Sequence, residues 1–319
     1  MSHIRLPLIA AMLAVLALPA GAKDKVRIVD TQATIFDAFA LYHAQAEGYF
    51  DAENLDASII VGPGGSGSLQ IAVTGSADIV FGPGILSVIN AYAKGAPVVI
   101  IANGKRGASE LFWYVKQNSP IKSFKDLDGK DFTYSTPGSF THLFAQTMAR
   151  ELGIKPKFVS STPMAAVRTQ MMSGQLDTAW SGFPNMLDVI RSGEGRIIGT
   201  GDDSVTLRSG SHRVIVANTN WLAKNRDVAA RAMRAIWKGQ QFNFSGEQAL
   251  RRYAEHWKID FDDAKKVGQF FKLEDLTPAP VSKLLESLQM AEEYGFIKAP
   301  LTEAQKKGLI DIVYDPDKK

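Results

Sequence analysis

Hydroxyls and glycines, gathered at turns, are the residues of this chain with the most to offer a ligand. The stretch Phe132-Thr-Tyr-Ser-Thr136-Pro-Gly138-Ser139-Phe140-Thr141-His142 runs on to Gly153. Phe132 to Thr136 alternates apolar and hydroxyl residues, as a strand does, and Pro137-Gly138 breaks it. Phe140, Leu143, Phe144, Met148 and Leu152 follow at helical spacing. Either Thr136, with Pro137 at the first helical position, or Ser139 caps that helix. In both registers, backbone N–H groups and small hydroxyls point out of a strand–helix junction, which suits an anionic or polar group. A capped helix that binds nothing is the commoner outcome of such a pattern. His142 lies one turn beyond Ser139, on the polar side of the helix with Gln146 and Arg150.

A second glycine-rich turn, Gly62-Pro-Gly64-Gly65-Ser66-Gly67, matches G-x-G-x-x-G between a predicted strand and a helix. A dinucleotide site would need an acid at the end of the next strand. That end is Phe81-Gly82-Pro83-Gly84, and Asp78 stands at the strand's beginning. A flexible loop that brings backbone N–H groups close to a ligand is the better reading. Trp113 and Trp180 fall in or beside strands, where packing is the default for an aromatic ring. Trp180 is the better ligand contact, because Ser181-Gly182 ends its strand. Arg106, Arg168 and Arg213 are possible anion partners, with solvated surface as the expectation for each.

Other chemistries find no support. The chain has no Cys, so disulfides, thiolate nucleophiles and Cys-ligated metals are excluded. The five histidines, His3, His43, His142, His212 and His256, show no metal-ligand spacing. There is no G-x-S-x-G elbow and no P-loop. A net charge of +3 without a basic run gives no reason to expect nucleic-acid binding. No cofactor is expected.

The elements that must position these residues alternate. Arg5 followed by the apolar run Leu6 to Leu18 and the small residues Ala20-Gly21-Ala22 reads as a signal peptide cleaved after Ala22, giving an exported chain. Strands are predicted at Val26–Val29, Leu55–Val61, Ala77–Phe81 and Val98–Ala102, with helices between them. The scheme recurs with strands at Leu111–Val115, Phe132–Thr136, near Phe158, at Asp177–Ser181 and at Arg196–Gly199. This predicts an α/β architecture with mainly parallel sheets. Gly75-Ser-Ala-Asp78 and Gly174-Gln-Leu-Asp177 echo one another, each closing a helix and opening a strand, which favours two similar lobes. A strand at Arg213–Ala217 precedes an almost wholly helical C-terminal third.

In chain order, behind the export signal, stand Leu41-Tyr-His-Ala-Gln-Ala-Glu-Gly48-Tyr-Phe50, Glu53-Asn-Leu55, the glycine loop and Gly75-Ser-Ala-Asp78. Then come Ser119-Pro-Ile-Lys-Ser-Phe-Lys-Asp-Leu-Asp-Gly129-Lys, Gly138-Ser-Phe-Thr-His142 and Gly174-Gln-Leu-Asp177. This ordered set resembles the substrate-binding proteins of nitrate/sulfonate/taurine-type ABC transporters, over roughly Val26 to Trp221. The resemblance implies a two-lobed periplasmic-binding-protein fold: two doubly wound mixed sheets with a hinge, and C-terminal helices packed on the lobes. It implies one lobe from 23–108 plus 213–319 and a second from 109–212, with crossovers near Gly107–Glu110 and Ser209–Arg213. The implied ligand-binding residues are Thr34, Phe36 and Asp37; Gly64, Gly65 and Ser66; and Gly82, Pro83 and Gly84. In the second lobe they are Thr136, Gly138, Ser139, Phe140, Thr141 and His142, with Trp180 and Phe183.

The implied function is capture of a small organic anion or polar aromatic solute in the periplasm. Permease and ATPase subunits are the implied partners, and contact with the membrane runs only through the permease. Thr34-Ile-Phe36 departs from the smaller or proline-containing loops of many relatives, which leaves the ligand's identity open. An exported enzyme or a ligand sensor on the same fold is the alternative. A thiamine-pyrimidine synthase of related fold depends on a cysteine-rich motif that this chain lacks.

Overall fold

Strand burial already orders the molecule into sheets. In the computed structural model, which describes residues 22–31 and 33–318, some strands are buried along their whole length and others alternate. The expected signal peptide lies outside the described residues except for Ala22. The first half runs β1 (Asp24–Asp30), α1 (Ala40–Ala46), α2 (Tyr49–Ala52), β2 (Leu55–Val61), α3 (Gly65–Val73), β3 (Ile79–Gly84), α4 (Ile85–Ala93) and β4 (Val98–Arg106). It continues β5 (Leu111–Lys116), β6 (Asp131–Tyr134), α5 (Phe140–Leu152), β7 (Lys157–Ser160), α6 (Met164–Ser173), β8 (Ala179–Gly182), α7 (Leu187–Arg191) and β9 (Gly195–Thr200). The remainder is β10 (Ser211–Asn218), α8 (Thr219–Asn243), α9 (Glu247–Trp257), α10 (Phe261–Gly268), α11 (Leu284–Glu293) and α12 (Glu303–Gly308).

One lobe holds a five-stranded sheet in the order β2-β1-β3-β10-β4. β1 pairs in parallel with β2 and β3, while β10 runs antiparallel to β3 and β4. β3 and β10 are buried throughout, as expected for central strands covered on both faces. The edge strand β2 alternates in burial along much of its length.

The other lobe departs from the mainly parallel expectation. Its backbone-bonded sheet, β8-β5-β9, is antiparallel, and β6 and β7 form a separate parallel pair. Side chains join the two pieces. Asp177 Oδ2 accepts from Asp131 N at 3.0 Å, and Thr178 Oγ1 donates to Asp131 O at 2.7 Å. With that seam counted, the order β7-β6-β8-β5-β9 repeats the first lobe's order. In each lobe the fourth strand comes from across a hinge, and this is why it runs against its neighbours.

The Gly-x-x-Asp echo has a physical basis. Gly75 and Gly174 take φ of +75° and +87°, the left-handed conformation that closes α3 and α6. Asp78 Oδ2 then accepts from Arg27 N at 2.8 Å, as Asp177 does from Asp131 N in the other lobe. Each acid supplies an acceptor to a backbone donor of the adjacent strand.

β3 was expected to stop at Phe81. It continues through Gly82-Pro83-Gly84, because β10 bulges opposite it, between Arg213 and Ile215. A bulge is where a strand tolerates proline's missing donor. Between β5 and β6 the chain makes only a 3-10 turn, at Phe124–Leu127. The C-terminal helices bridge both lobes. Gln240 Nε2 donates to Asp37 O at 2.8 Å, Thr147 shares a 3.1 Å hydrogen bond with Tyr294, and Phe183 stacks on Phe270 at 4.1 Å. After α12 the chain lies along β4, with Asp311 N bonded to Ile100 O at 2.8 Å, so that sheet edge is covered.

Candidate ligand-binding site

The carboxyl ends of β1, β2, β3, β6, β7 and β8 face one another across the two lobes. Between them lies a cavity of about 530 Å³. Four helices start on its wall. Gly64 precedes α3, Gly84 precedes α4, Ser139 precedes α5 and Pro163 precedes α6. Helix starts carry partial positive charge and unpaired N–H groups, so their convergence favours an anion. Gly64 and Gly84 give α3 and α4 no side-chain cap, which leaves their first N–H groups without a competing side-chain acceptor.

The cap of α5 is now decided. Ser139 Oγ accepts from His142 N at 3.2 Å, and Gly153, at φ +67°, closes the helix. Thr141 Oγ1 lies 2.8 Å from Ser135 Oγ and 3.0 Å from Ser139 Oγ, and it accepts from Ser135 N at 2.8 Å. These hydrogen bonds tie the hydroxyls to one another at the start of α5.

Arg213 is the residue whose expected environment was wrong. It is 2% exposed and lines the cavity. It ion-pairs with Glu110, which also forms an ion pair with Lys105 at 2.8 Å, and all three are buried at the crossovers. Burial alone would raise the Glu110 carboxyl, but Arg213 and Lys105 outweigh it and hold it below its ordinary range. Asp37, fully buried nearby, is pushed upward by desolvation against the pull of Arg213. Among the described lining residues, Arg213 is the one ionisable side chain. Arg106 instead bonds Glu274 O at 2.6 Å and Ser282 Oγ, and Arg168 pairs with Asp188 at 2.9 Å, both away from the cavity.

Of the residues expected at the site, Thr34, Gly64 and Gly65 line the cavity, as do Gly82 and Gly84. So do Thr136, Ser139, Phe140, Thr141 and Trp180. The others do not. Phe36 is core, packed against Tyr253 and Phe271 at 5.2 and 5.4 Å. Asp37 is sealed beneath the wall. Pro83 is a strand residue between two lining glycines. Phe183 is stacked between Phe112 and Phe270. His142 stacks on Tyr134 at 4.2 Å, and burial lowers its pKa to about 4. Its Nδ1 accepts from Gly138 N at 3.2 Å, so both residues brace the turn from behind.

Ser66 holds the lobes together, donating to Pro137 O at 2.8 Å. Asn185 Nδ2 does the same, donating to Thr34 Oγ1 at 3.0 Å. These contacts describe lobes closed over the cavity.

Thr162, Pro163 and Met164 were missed. They stand after β7 as the glycine loop stands after β2, so the internal echo, carried one element further, would have found them. Leu111 was missed because an apolar residue opening a strand reads as core.

Residues 35–248 match the family model described as NMT1/THI5 like. The chain belongs to the NMT1/THI5-like family. YtlA of Bacillus subtilis, described only as a candidate binding protein, is 23% identical over 75% of this chain and 71% of its own. The periplasmic aliphatic sulphonate binding protein SsuA of Escherichia coli superposes with a TM-score of 0.72 at 20% identity, covering 90% of this chain and 97% of SsuA. The periplasmic nitrate-binding protein NrtA of Synechocystis PCC 6803 superposes at 0.68 with 14% identity, covering 89% and 84%. The periplasmic-binding fold expected from the sequence is therefore the fold of this NMT1/THI5-like chain. Among its described residues no cluster of His, Asp and Glu could hold a metal, and no helix is long and apolar enough to cross a membrane.

Proposed function

We propose that this chain is the exported substrate-binding protein of an ABC importer, and that it captures a small organic anion between two lobes without transforming it. The observation that carries this reading is the cavity wall: four helix starts and one arginine, with no carboxylate among its described residues. Glu110, paired with the lining Arg213, and Lys105 are locked in buried ion pairs, which supports binding over turnover. The lobes would divide at 23–108 plus 213–319 and 109–212. The permease and ATPase would be the partners, with membrane contact only through the permease and the mature chain starting at Lys23.

Two measurements test the reading. N-terminal sequencing of protein released by osmotic shock should begin at Lys23. Small-angle scattering should show a more compact particle when dialysed protein is saturated with a low-molecular-weight extract of its source cells, because two lobes on two crossovers close by hinge bending. An unchanged profile, or extract compounds chemically altered by the protein, would contradict it.

A further inference from the structure

Resting on that reading, we infer that the ligand is an aromatic monocarboxylate, its carboxylate beside Arg213 and its ring along Trp180, Pro163 and Met164.

Size is the first argument. A cavity of about 530 Å³ lies in the range of sites for organic molecules of some bulk. A nitrate-sized ion would fill little more than the share of one or two waters, ~30 Å³ each. The rest of a mainly apolar chamber would have to hold water.

Polarity is the second. In the β10–β3 pairing Arg213 stands opposite Gly84. A Cβ on Gly84 would lie 2.9 Å from Phe140 N and 3.0 Å from Gly138 O. The arginine strand and the first turns of α4 and α5 therefore meet in one place, at the anionic end. The other end is carbon. Trp180 Nε1 donates to Ser161 O at 2.9 Å, so the indole's one polar group is used and its ring face remains for a ligand. Ser181 Oγ, next along β8, donates to Met164 Sδ at 3.5 Å, and Met164 lines the same cavity as Trp180. A flat apolar body against tryptophan and a thioether gains dispersion and ring-edge contacts.

The third argument is what the wall withholds. Arg213 and Lys105 share the single carboxylate of Glu110, so the network behind the wall keeps one net positive charge, and with no carboxylate among its described residues the wall offers nothing to an ammonium group, which disfavours zwitterions such as taurine. Its hydroxyls are largely spent: Thr31 Oγ1 donates to Phe81 O at 2.9 Å, Thr34 accepts from Asn185, and Ser135, Ser139 and Thr141 bond one another. A sugar would leave its own hydroxyls unpaired.

Calorimetric titration of the dialysed chain decides the matter. The probes are benzoate, phenylacetate and indole-3-acetate, set against benzamide, acetate, nitrate, hexanesulfonate and taurine. The best aromatic acid should bind about 30-fold more tightly than benzamide and than acetate, or about 2 kcal/mol. Trp180→Leu should weaken it about tenfold, and Trp180→Phe should restore most of the loss. If nitrate, acetate, hexanesulfonate or taurine binds as well as the aromatic acids, or alone, the aromatic assignment is overturned while the anion receptor stands. If benzamide matches benzoate, or no anion in the series binds, both are overturned.

Discussion

Glu110 has no solvent exposure and pairs with two buried cations, Lys105 and Arg213, at the crossovers. Removing its charge would leave two buried cations poorly compensated. Glu110→Gln should therefore cost about 3–5 kcal/mol of stability in urea unfolding. A loss below about 1 kcal/mol would mean that the network is hydrated. Histidines give a second test at this scale. Burial lowers His43 and His212 to about 4. In the unfolded chain they take up protons as pH falls through about 6.5, while in the folded chain they resist until about 4. Stability is therefore fully present above pH 6.5 and is lost between there and 4, by up to about 1.4 kcal/mol per pH unit for each histidine. Urea midpoints at pH 7 and pH 5 should differ accordingly, and His212→Gln should reduce the difference. Equal midpoints would contradict the burial argument.

At the scale of elements, Gly84 is the point where one lobe's strand end meets the other lobe's helix start. Its φ of −65° suits any residue, so only the space across the cleft forbids a side chain. Gly84→Ala should prop the lobes apart, weaken ligand binding at least tenfold and leave the thermal midpoint of the empty protein within a few degrees. Unchanged affinity would show that the lobes do not close this far on ligand. The same element explains what was legible in sequence. The glycine turns, the α5 start and Trp180 could be read because breaking a strand and capping a helix need particular residue types. Arg213 could not be placed, since its burial depends on Glu110, about a hundred residues away in sequence and adjacent only after both crossovers form. Nor could Phe36, Asp37 and Phe183 be told from lining residues. They sit one or two positions from the wall, and which neighbour turns inward is set by C-terminal aromatics such as Tyr253 and Phe270. Ser139 shows the limit from the other side: its cap role was one of two that the sequence allowed, and its 6% exposure against Gly84 and Thr141 was not legible.

Over the whole molecule, the two sheets share one strand order, and the crossovers that set it also carry the buried ion pairs and the cavity's arginine. Hinge, charge and cavity thus occupy one small region, and the proposed anion would bring its charge to where the lobes meet. The C-terminal helices brace this region from both lobes, through Tyr253 on Thr34 O at 2.8 Å and through Ser109 on Phe270 O. The central claim, that the lobes close on an organic anion, is tested most directly by capture. The dialysed chain is incubated with a small-molecule extract of its source cells, separated from free solute and denatured, and what it releases is identified by mass spectrometry. The account predicts one organic anion, unmodified and at about one per chain. A neutral or cationic compound at that stoichiometry, or no retained compound, would contradict it.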